Sequence, residues 1–180
     1  SNLAVFCEKP DVKVWLVENS IKALQWLASK HRNLYEYPVV AITGSNGKTI
    51  VKEWLSQIVE PNFSIIKSPR SYNSQIGVAL SVWEMSEKND LGIFEAGVSM
   101  SGEMQALYNV IKPTIGIFTN IGSAHNEGFA TYKQKITEKL RLFQSVETLI
   151  YNKDYKELHQ EIEIFLKAVN PNVNLISWSE

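Results

Sequence analysis

Residues 43–49 combine the side-chain types that bind nucleotide phosphates, in the order Thr-Gly-Ser-Asn-Gly-Lys-Thr. Glycines let backbone N–H groups turn toward phosphate oxygens, and a following helix adds the partial positive charge of its N-terminus. A lysine neutralises the β- and γ-phosphates, and the adjacent threonine hydroxyl reaches magnesium. The segment therefore predicts a site for ATP and Mg²⁺. Its expected contacts are Gly44, Ser45, Asn46, Gly47, Lys48 and Thr49.

The glycine spacing of this segment departs from the common phosphate loop. Ile42 occupies the position where that loop has its first glycine, and Gly44 lies only three residues before Gly47. A second interpretation is a simple turn followed by a helix whose first residues happen to be lysine and threonine. The position of the segment between a predicted strand and a predicted helix favours the phosphate loop.

Further polar residues come at or just after the ends of other predicted strands. Glu95 ends one strand, Asn120 follows the next, His125 lies in the loop beyond it, and Asn152 ends a third. Ligands of open parallel sheets bind beyond the carboxyl ends of the strands, so these side chains are expected in one crevice with the phosphate loop. Taken singly, each has an ordinary alternative: a turn glutamate, a surface histidine, a strand-end asparagine.

Lys139 lies at the border of an apolar helix stripe formed by Ile136, Leu140 and Phe143. A lysine at such a border can extend its ammonium group to solvent. It can also be partly buried, and a buried lysine is easier to keep neutral and reactive. The sequence leaves both interpretations open.

Alternating strands and helices must position these residues. Strands are predicted at 38–42, 63–67, 91–95, 114–119, 148–152 and 173–178, and helices at 20–30, 49–59, 76–85, 103–110, 132–144 and 154–169. Ser20 is the expected N-cap of the first helix. The alternation predicts an α/β fold with a mostly parallel sheet and helices on both faces. Residues 19–180 are expected to form one domain, incomplete at its C-terminus, with residues 1–18 as the remnant of a preceding domain or linker.

Composition excludes several classes of function. The 180 residues carry 18 basic and 19 acidic side chains, so a basic surface for nucleic acid or anionic membrane is not expected. No apolar run approaches the roughly 18 residues of a membrane span. Cys7 is the only cysteine, which excludes an internal disulfide and favours the cytoplasm.

Three motifs in order resemble those of the Mur ligases, the ATP-dependent enzymes that build the peptide of bacterial cell-wall precursors. They are residues 43–49, residues 94–103 (Phe-Glu-Ala-Gly-Val-Ser-Met-Ser-Gly-Glu) and residues 119–129 (Thr-Asn-Ile-Gly-Ser-Ala-His-Asn-Glu-Gly-Phe). The third is most similar to the members that add D-Ala-D-Ala to UDP-N-acetylmuramoyl-tripeptide. Residues 68–77 are similar to members fused to an alanine racemase. The resemblance implies the family's P-loop NTPase-like central domain, truncated.

The resemblance also implies roles for the metal-site residues. Lys48 would bind the ATP phosphates, and Thr49 and Glu95 would bind magnesium. His125 would join Glu95 at a second metal. Lys139 matches a lysine that several members carry as a carbamate, an anion that helps to organise the metal site. Lys48, Lys139 and His125 are thus the expected catalytic residues.

Substrate contacts follow from the resemblance as well. Asn152 matches the asparagine that contacts adenine, Asn120 is expected at the nucleotide, and Asn73 lies in the loop that meets the UDP-sugar. Ala79 replaces the family's usual proline in that substrate segment, and Ile50 replaces its second hydroxyl residue after Lys-Thr.

The implied activity is amide-bond formation through an acyl-phosphate, with UDP-N-acetylmuramoyl-tripeptide and D-Ala-D-Ala as substrates. The family's first and third domains are absent from this sequence, so the fragment is expected to be inactive alone. Another Mur-type ligase or a folylpolyglutamate synthetase is an alternative, as is a nucleotide-binding module without activity.

Overall fold

A computed structural model describes residues 14–122 and 128–179, and it contains six strands and six α-helices there. The strands are β1 (Val39–Thr43), β2 (Ile65–Lys67), β3 (Leu91–Glu95), β4 (Ile115–Phe118), β5 (Thr148–Asn152) and β6 (Asn174–Trp178). The helices are α1 (Ser20–Arg32), α2 (Lys48–Val59), α3 (Gln75–Trp83), α4 (Glu103–Ile111), α5 (Tyr132–Leu140) and α6 (Lys156–Val169). Of the predicted remnant 1–18, only residues 14–18 are described, and they form no helix or strand.

The six strands form one sheet in the order β2-β3-β1-β4-β5-β6, and all neighbouring strands are parallel. The predicted α/β fold is therefore confirmed. In the register of the sheet, Ile42 lies beside Glu95 on β3, and Thr43 lies beside Phe118 on β4. The carboxyl ends of β3, β1 and β4 consequently meet at one edge, directly below the phosphate loop.

Helices cover both faces of the sheet, but unevenly. On one face, side chains of α1, α3, α4, α5 and α6 share a large apolar core with alternate strand residues such as Val39 and Ala41. On the other face, α2 packs over Val40, Ile42 and Ile93. Because β1 is buried from both sides, all five of its residues are inaccessible, as its continuous apolar run predicts.

Many predicted bounds differ from the structure by one or two residues, and two differences have a clear physical reason. Asn19, not Ser20, is the N-cap of α1: its backbone is extended, and its side chain accepts a hydrogen bond from the Lys22 amide at 2.9 Å. The helix predicted over 132–144 ends as an α-helix at Leu140 and tightens into a 3₁₀ turn over Arg141–Phe143. Its apolar stripe continues through the turn, which is why the pattern alone predicted one longer helix.

Among residues 14–122 and 128–179, no helix has the length and apolar character that crossing a membrane requires.

Candidate functional site

The phosphate loop connects β1 to α2 through two glycines with unusual backbone angles. Gly47 is the N-cap of α2 in the left-handed region (φ 79°), and no side chain caps the helix. Gly44 has φ 149°, and a Cβ atom there would lie 2.0 Å from the Thr119 hydroxyl oxygen. The first amides of α2 have no acceptor within the helix, so they form a ready site for an anion.

The loop is held in shape by the two residues that follow β4, Thr119 and Asn120. The carbonyl oxygen of Asn120 accepts the Ser45 amide at 2.9 Å, and the Asn120 side-chain oxygen accepts the Asn46 amide at 2.9 Å. The Thr119 hydroxyl donates to the Asn46 carbonyl at 2.6 Å. Asn120 thus binds the loop's backbone in this structure, and a direct contact of Asn120 with a nucleotide stays a prediction.

Lys48 folds back over the loop that precedes it. Its ammonium group donates to the carbonyl oxygens of Gly44 and Ser45 at 3.0 and 3.4 Å. Burial lowers the pKa of Lys48, and the negative charge of Glu95 opposes that shift. The cation therefore lies between the loop and the end of β3, where it can neutralise an anion bound at the helix N-terminus.

Glu95 lies at the end of β3, fully buried, and its two carboxylate oxygens have different neighbours. Oε2 accepts a hydrogen bond from the Thr49 hydroxyl at 3.0 Å. Oε1 lies 3.0 Å from the Lys52 ammonium, in an ion pair that lacks the alignment of a hydrogen bond. A carboxylate and a hydroxyl at one point are the hard oxygen ligands that magnesium prefers.

The sequence motifs did not single out Lys52. It is fully buried on α2, one turn after Lys48, and its ammonium group lies between Glu95 and the backbone that follows β2. The available signal was its spacing: positions i and i+4 share one face of a helix, so a second lysine points to the same side as the first. That spacing alone does not name the carboxylate partner.

Lys139, on α5, is buried against the loop, with 3% of its surface exposed. Its ammonium group donates to the Gly44 carbonyl at 3.3 Å. Desolvation lowers the pKa of Lys139 to about 7, with further lowering by the positive charges of Lys48 and Lys135. Of the two interpretations of Lys139, burial is therefore correct and extension to solvent is wrong.

A cavity of about 300 Å³ opens between these lysines and the loop before α3. Its wall includes Lys48, Lys139, Asn73 and Glu103. Asn73 is fixed there because its carbonyl oxygen accepts the Gly97 amide at 2.8 Å. The predicted substrate residue Asn73 and the two lysines thus face one space.

Asn152 lies farther along the same edge, at the end of β5. Its side-chain oxygen accepts the Asp154 amide at 2.7 Å, which shapes the turn into α6. That turn and the start of α5 line a groove of about 540 Å³ that includes Tyr132 and Tyr155. The groove lies two strands from β1, on the edge of the sheet that also carries the phosphate loop.

His125 lies outside the described residues. Within residues 14–122 and 128–179, no three or more His, Cys, Asp or Glu side chains come together as a set that could hold a metal ion. Of the predicted metal ligands, the structure brings Glu95 and Thr49 together, and their binding of magnesium stays a prediction.

Comparison with known proteins adds a family match and named relatives. The family described as "Mur ligase middle domain" matches residues 42–177. The UDP-N-acetylmuramoyl-tripeptide–D-alanyl-D-alanine ligase of Borreliella burgdorferi is 36% identical over 162 residues, covering 89% of this chain and 35% of the relative. The ligase of the same name from Bacillus subtilis is 32% identical over 134 residues, covering 71% of this chain and 29% of the relative. The chain thus spans about a third of the length of these curated relatives.

Solved structures agree on the architecture. A MurF ligase from Thermotoga maritima in complex with ADP has a TM-score of 0.80 and 26% identity, covering 96% of this chain and 40% of that one. A folylpolyglutamate synthase from Mycobacterium tuberculosis complexed with ADP has a TM-score of 0.67 at 12% identity, covering 91% of this chain and 47% of that one, and shows the shared fold alone.

Proposed function

Since this chain belongs to the Mur ligase family through the middle domain, we propose that it is the ATP-binding part of a ligase that adds D-Ala-D-Ala to UDP-N-acetylmuramoyl-tripeptide. One observation carries the proposal. Lys48 and Lys139 both donate to the Gly44 carbonyl oxygen of the phosphate loop, and Glu95 and Thr49 meet beside it. An uncapped helix N-terminus, two lysines and a hard oxygen pair are what phosphoryl transfer requires.

The reaction would proceed in two displacements. A carboxylate oxygen of the tripeptide attacks the γ-phosphorus of ATP, so that a carbon–O–phosphorus linkage forms and ADP leaves. The amine of D-Ala-D-Ala then attacks the acyl carbon, inorganic phosphate leaves, and the amine loses a proton. Lys48 and the first amides of α2 would neutralise the phosphate oxygens during the first step. Mg²⁺, held by Glu95 and Thr49, would supply further neutralisation of the transferred phosphoryl group.

Lys139 would act as a carbamate. Its neutral amine attacks carbon dioxide, a nitrogen–carbon bond forms, and one proton is released. A pKa of about 7 supports this step, because it leaves a large neutral fraction at physiological pH. The product is an anion beside Lys48, and it would add an oxygen ligand near Glu95. His125 stays the proposed partner of Glu95 at a second metal.

The remaining assignments extend the proposal to both substrates. Asn73, on the cavity wall next to the lysines, would meet the UDP-sugar substrate. Asn152 would contact adenine, in keeping with the groove beside it that two tyrosines line. The full-length protein would act in the cytoplasm, and the single cysteine of these 180 residues is in keeping with that compartment. The 180-residue chain would bind nucleotide without completing the reaction.

The decisive experiment measures phosphate release by the full-length protein with ATP, Mg²⁺, UDP-N-acetylmuramoyl-tripeptide and D-Ala-D-Ala. Lys48→Ala should remove at least about 3 kcal/mol of transition-state stabilisation, the effect of losing one preorganised donor. Lys88→Ala is the matched control, since Lys88 is an exposed lysine far along the chain from the loop. Near-normal turnover by Lys48→Ala would contradict the role of Lys48.

A substrate panel tests the choice of ligase. Turnover with another muramoyl precursor or with a folate, but not with the tripeptide and D-Ala-D-Ala, would replace the proposed substrates and keep the nucleotide site. Failure to bind ATP with Mg²⁺ at all would remove the nucleotide site itself.

A further inference from the structure

Four oxygen atoms surround the buried ammonium group of Lys52. Its Nζ lies 3.0 Å from Glu95 Oε1 and 3.1 Å from Glu53 Oε1. It also donates to the carbonyl oxygen of Ser68 at 2.7 Å and to that of Arg70. A charged group with no exposed surface persists only when such partners replace its water.

Because of Lys52, the two oxygens of the Glu95 carboxylate have different partners. Oε1 is committed to the ammonium group, and Oε2 is turned to the Thr49 hydroxyl. Thr49 is the hydroxyl residue that follows the phosphate-binding lysine. The ion pair therefore fixes which oxygen of Glu95 is presented to the nucleotide site.

The same ammonium group reaches the segment that leads from β2 to Asn73. Arg70, in this segment, has a left-handed backbone conformation (φ 50°), which is uncommon for a residue with a side chain. Its carbonyl oxygen points at Lys52. One side chain thus connects the carboxylate at the nucleotide site with the backbone that supports the cavity wall.

We propose that Lys52 is a positioning residue that presents Glu95 to the metal through one oxygen, Oε2, and ties that carboxylate to the backbone of residues 68–70. The inference rests on the proposed nucleotide site and adds a residue to it. Groups that orient a metal-binding carboxylate from behind act through the ligand, and their loss typically weakens metal binding about 10- to 100-fold.

The test measures Mn²⁺ binding to the full-length protein by electron paramagnetic resonance, with β,γ-methylene-ATP as the nucleotide. Lys52→Met keeps the length of the side chain and removes its charge. We expect Mn²⁺ to bind the Lys52→Met complex about 10- to 100-fold more weakly than the wild type. Lys67→Met is the control, because Lys67 pairs with Glu53 and Glu60 at the surface; we expect a change within about twofold.

A double-mutant cycle separates positioning from general damage to the fold. In a Glu95→Gln background, Lys52→Met should weaken Mn²⁺ binding by no more than about twofold further, since its effect passes through Glu95. The double variant also removes both charges of the buried pair, so it is expected to fold even if Lys52→Met alone does not. The Mn²⁺ affinities of Glu95→Gln and of the double variant then show whether Lys52 acts through Glu95.

Two results would overturn the inference. Folded Lys52→Met could bind Mn²⁺ as tightly as wild type or more tightly, in which case Lys52 only competes with the metal. Alternatively, Lys52→Met could weaken binding fully in the Glu95→Gln background, in which case it acts independently of Glu95. If wild-type protein binds neither nucleotide nor Mn²⁺, the proposed function fails as well, so the two failures are distinguishable.

Discussion

A lysine is buried on each side of the phosphate loop, and the two lysines differ in the charged groups that surround them. On the α2–β3 side, Lys52 lies against two carboxylates and two backbone carbonyls. On the α5–β4 side, Lys139 has one carbonyl acceptor, and the ion pairs among the described residues include none to it. The positive charges of Lys48 and Lys135 act on it as well.

This difference shows that burial alone does not decide what a lysine does. A buried ammonium group that pairs with carboxylates can fix the orientation of those partners. A buried charge beside other cations gives up its proton easily, which makes it a nucleophile. One side of the loop is therefore suited to orienting a metal ligand, and the other to chemistry on a lysine.

The largest expected effect comes from removing the carboxylate that compensates Lys52. Glu95→Ala leaves a buried ammonium group without its main counter-charge, and such a break typically costs about 3–5 kcal/mol of folding free energy. Urea denaturation of the 180-residue chain, followed by tryptophan fluorescence, measures the loss. Glu60→Ala, which removes an exposed partner of Lys67, should cost less than about 1 kcal/mol. Equal small losses would mean that Lys52 does not depend on Glu95.

Replacing Lys139, the buried lysine that lies beside other cations, should raise the free energy of unfolding instead of lowering it. Lys139→Met replaces a buried amine by an apolar chain of similar length, and we expect it to stabilise the chain by about 2 kcal/mol at pH 7 in buffer free of carbon dioxide. The pKa of Lys139 is about 7 in the fold and 10.5 ordinarily, so the unfolded chain binds more protons between these values. Wild-type stability therefore rises with pH in this window.

The stability advantage of Lys139→Met should accordingly be largest at pH 7 and below and become small near pH 10. Urea denaturation midpoints at pH 6, 8 and 10 measure this trend. An advantage that stays constant from pH 6 to pH 10 would show that Lys139 does not titrate in the fold, and the comparison between the two lysines would lose its basis.

Local patterns predicted the part of the site that is continuous in sequence. The loop at residues 43–49 and Glu95 at a strand end could be recognised because strand, turn and helix signals are short-range. The alternation of elements then fixed the parallel sheet and the common edge. Strand β5 was predicted with its observed bounds, Thr148–Asn152.

The contacts that hold the site could not be predicted in the same way. Lys52 meets carbonyl groups 16 and 18 residues away, and the Asn120 side chain meets an amide 74 residues away. Such pairs depend on strand register and on the rotation of α2, neither of which a sequence pattern specifies. Burial of Lys139 likewise depended on how α5 packs, which is why its stripe-border position allowed two interpretations.

The smallest expected effect concerns how the α5–β4 side shapes the loop. Asn120→Ala removes the acceptor of the Asn46 amide but keeps the backbone hydrogen bond to Ser45. We expect a loss of about 1 kcal/mol in stability, the net value of one hydrogen bond. ATP affinity, measured by calorimetry with Mg²⁺, should fall about three- to tenfold because the loop is less well ordered before binding. Asn172→Ala, in the exposed turn before β6, is the control and should change neither quantity. A loss of affinity without any loss of stability would instead favour direct contact between Asn120 and the nucleotide.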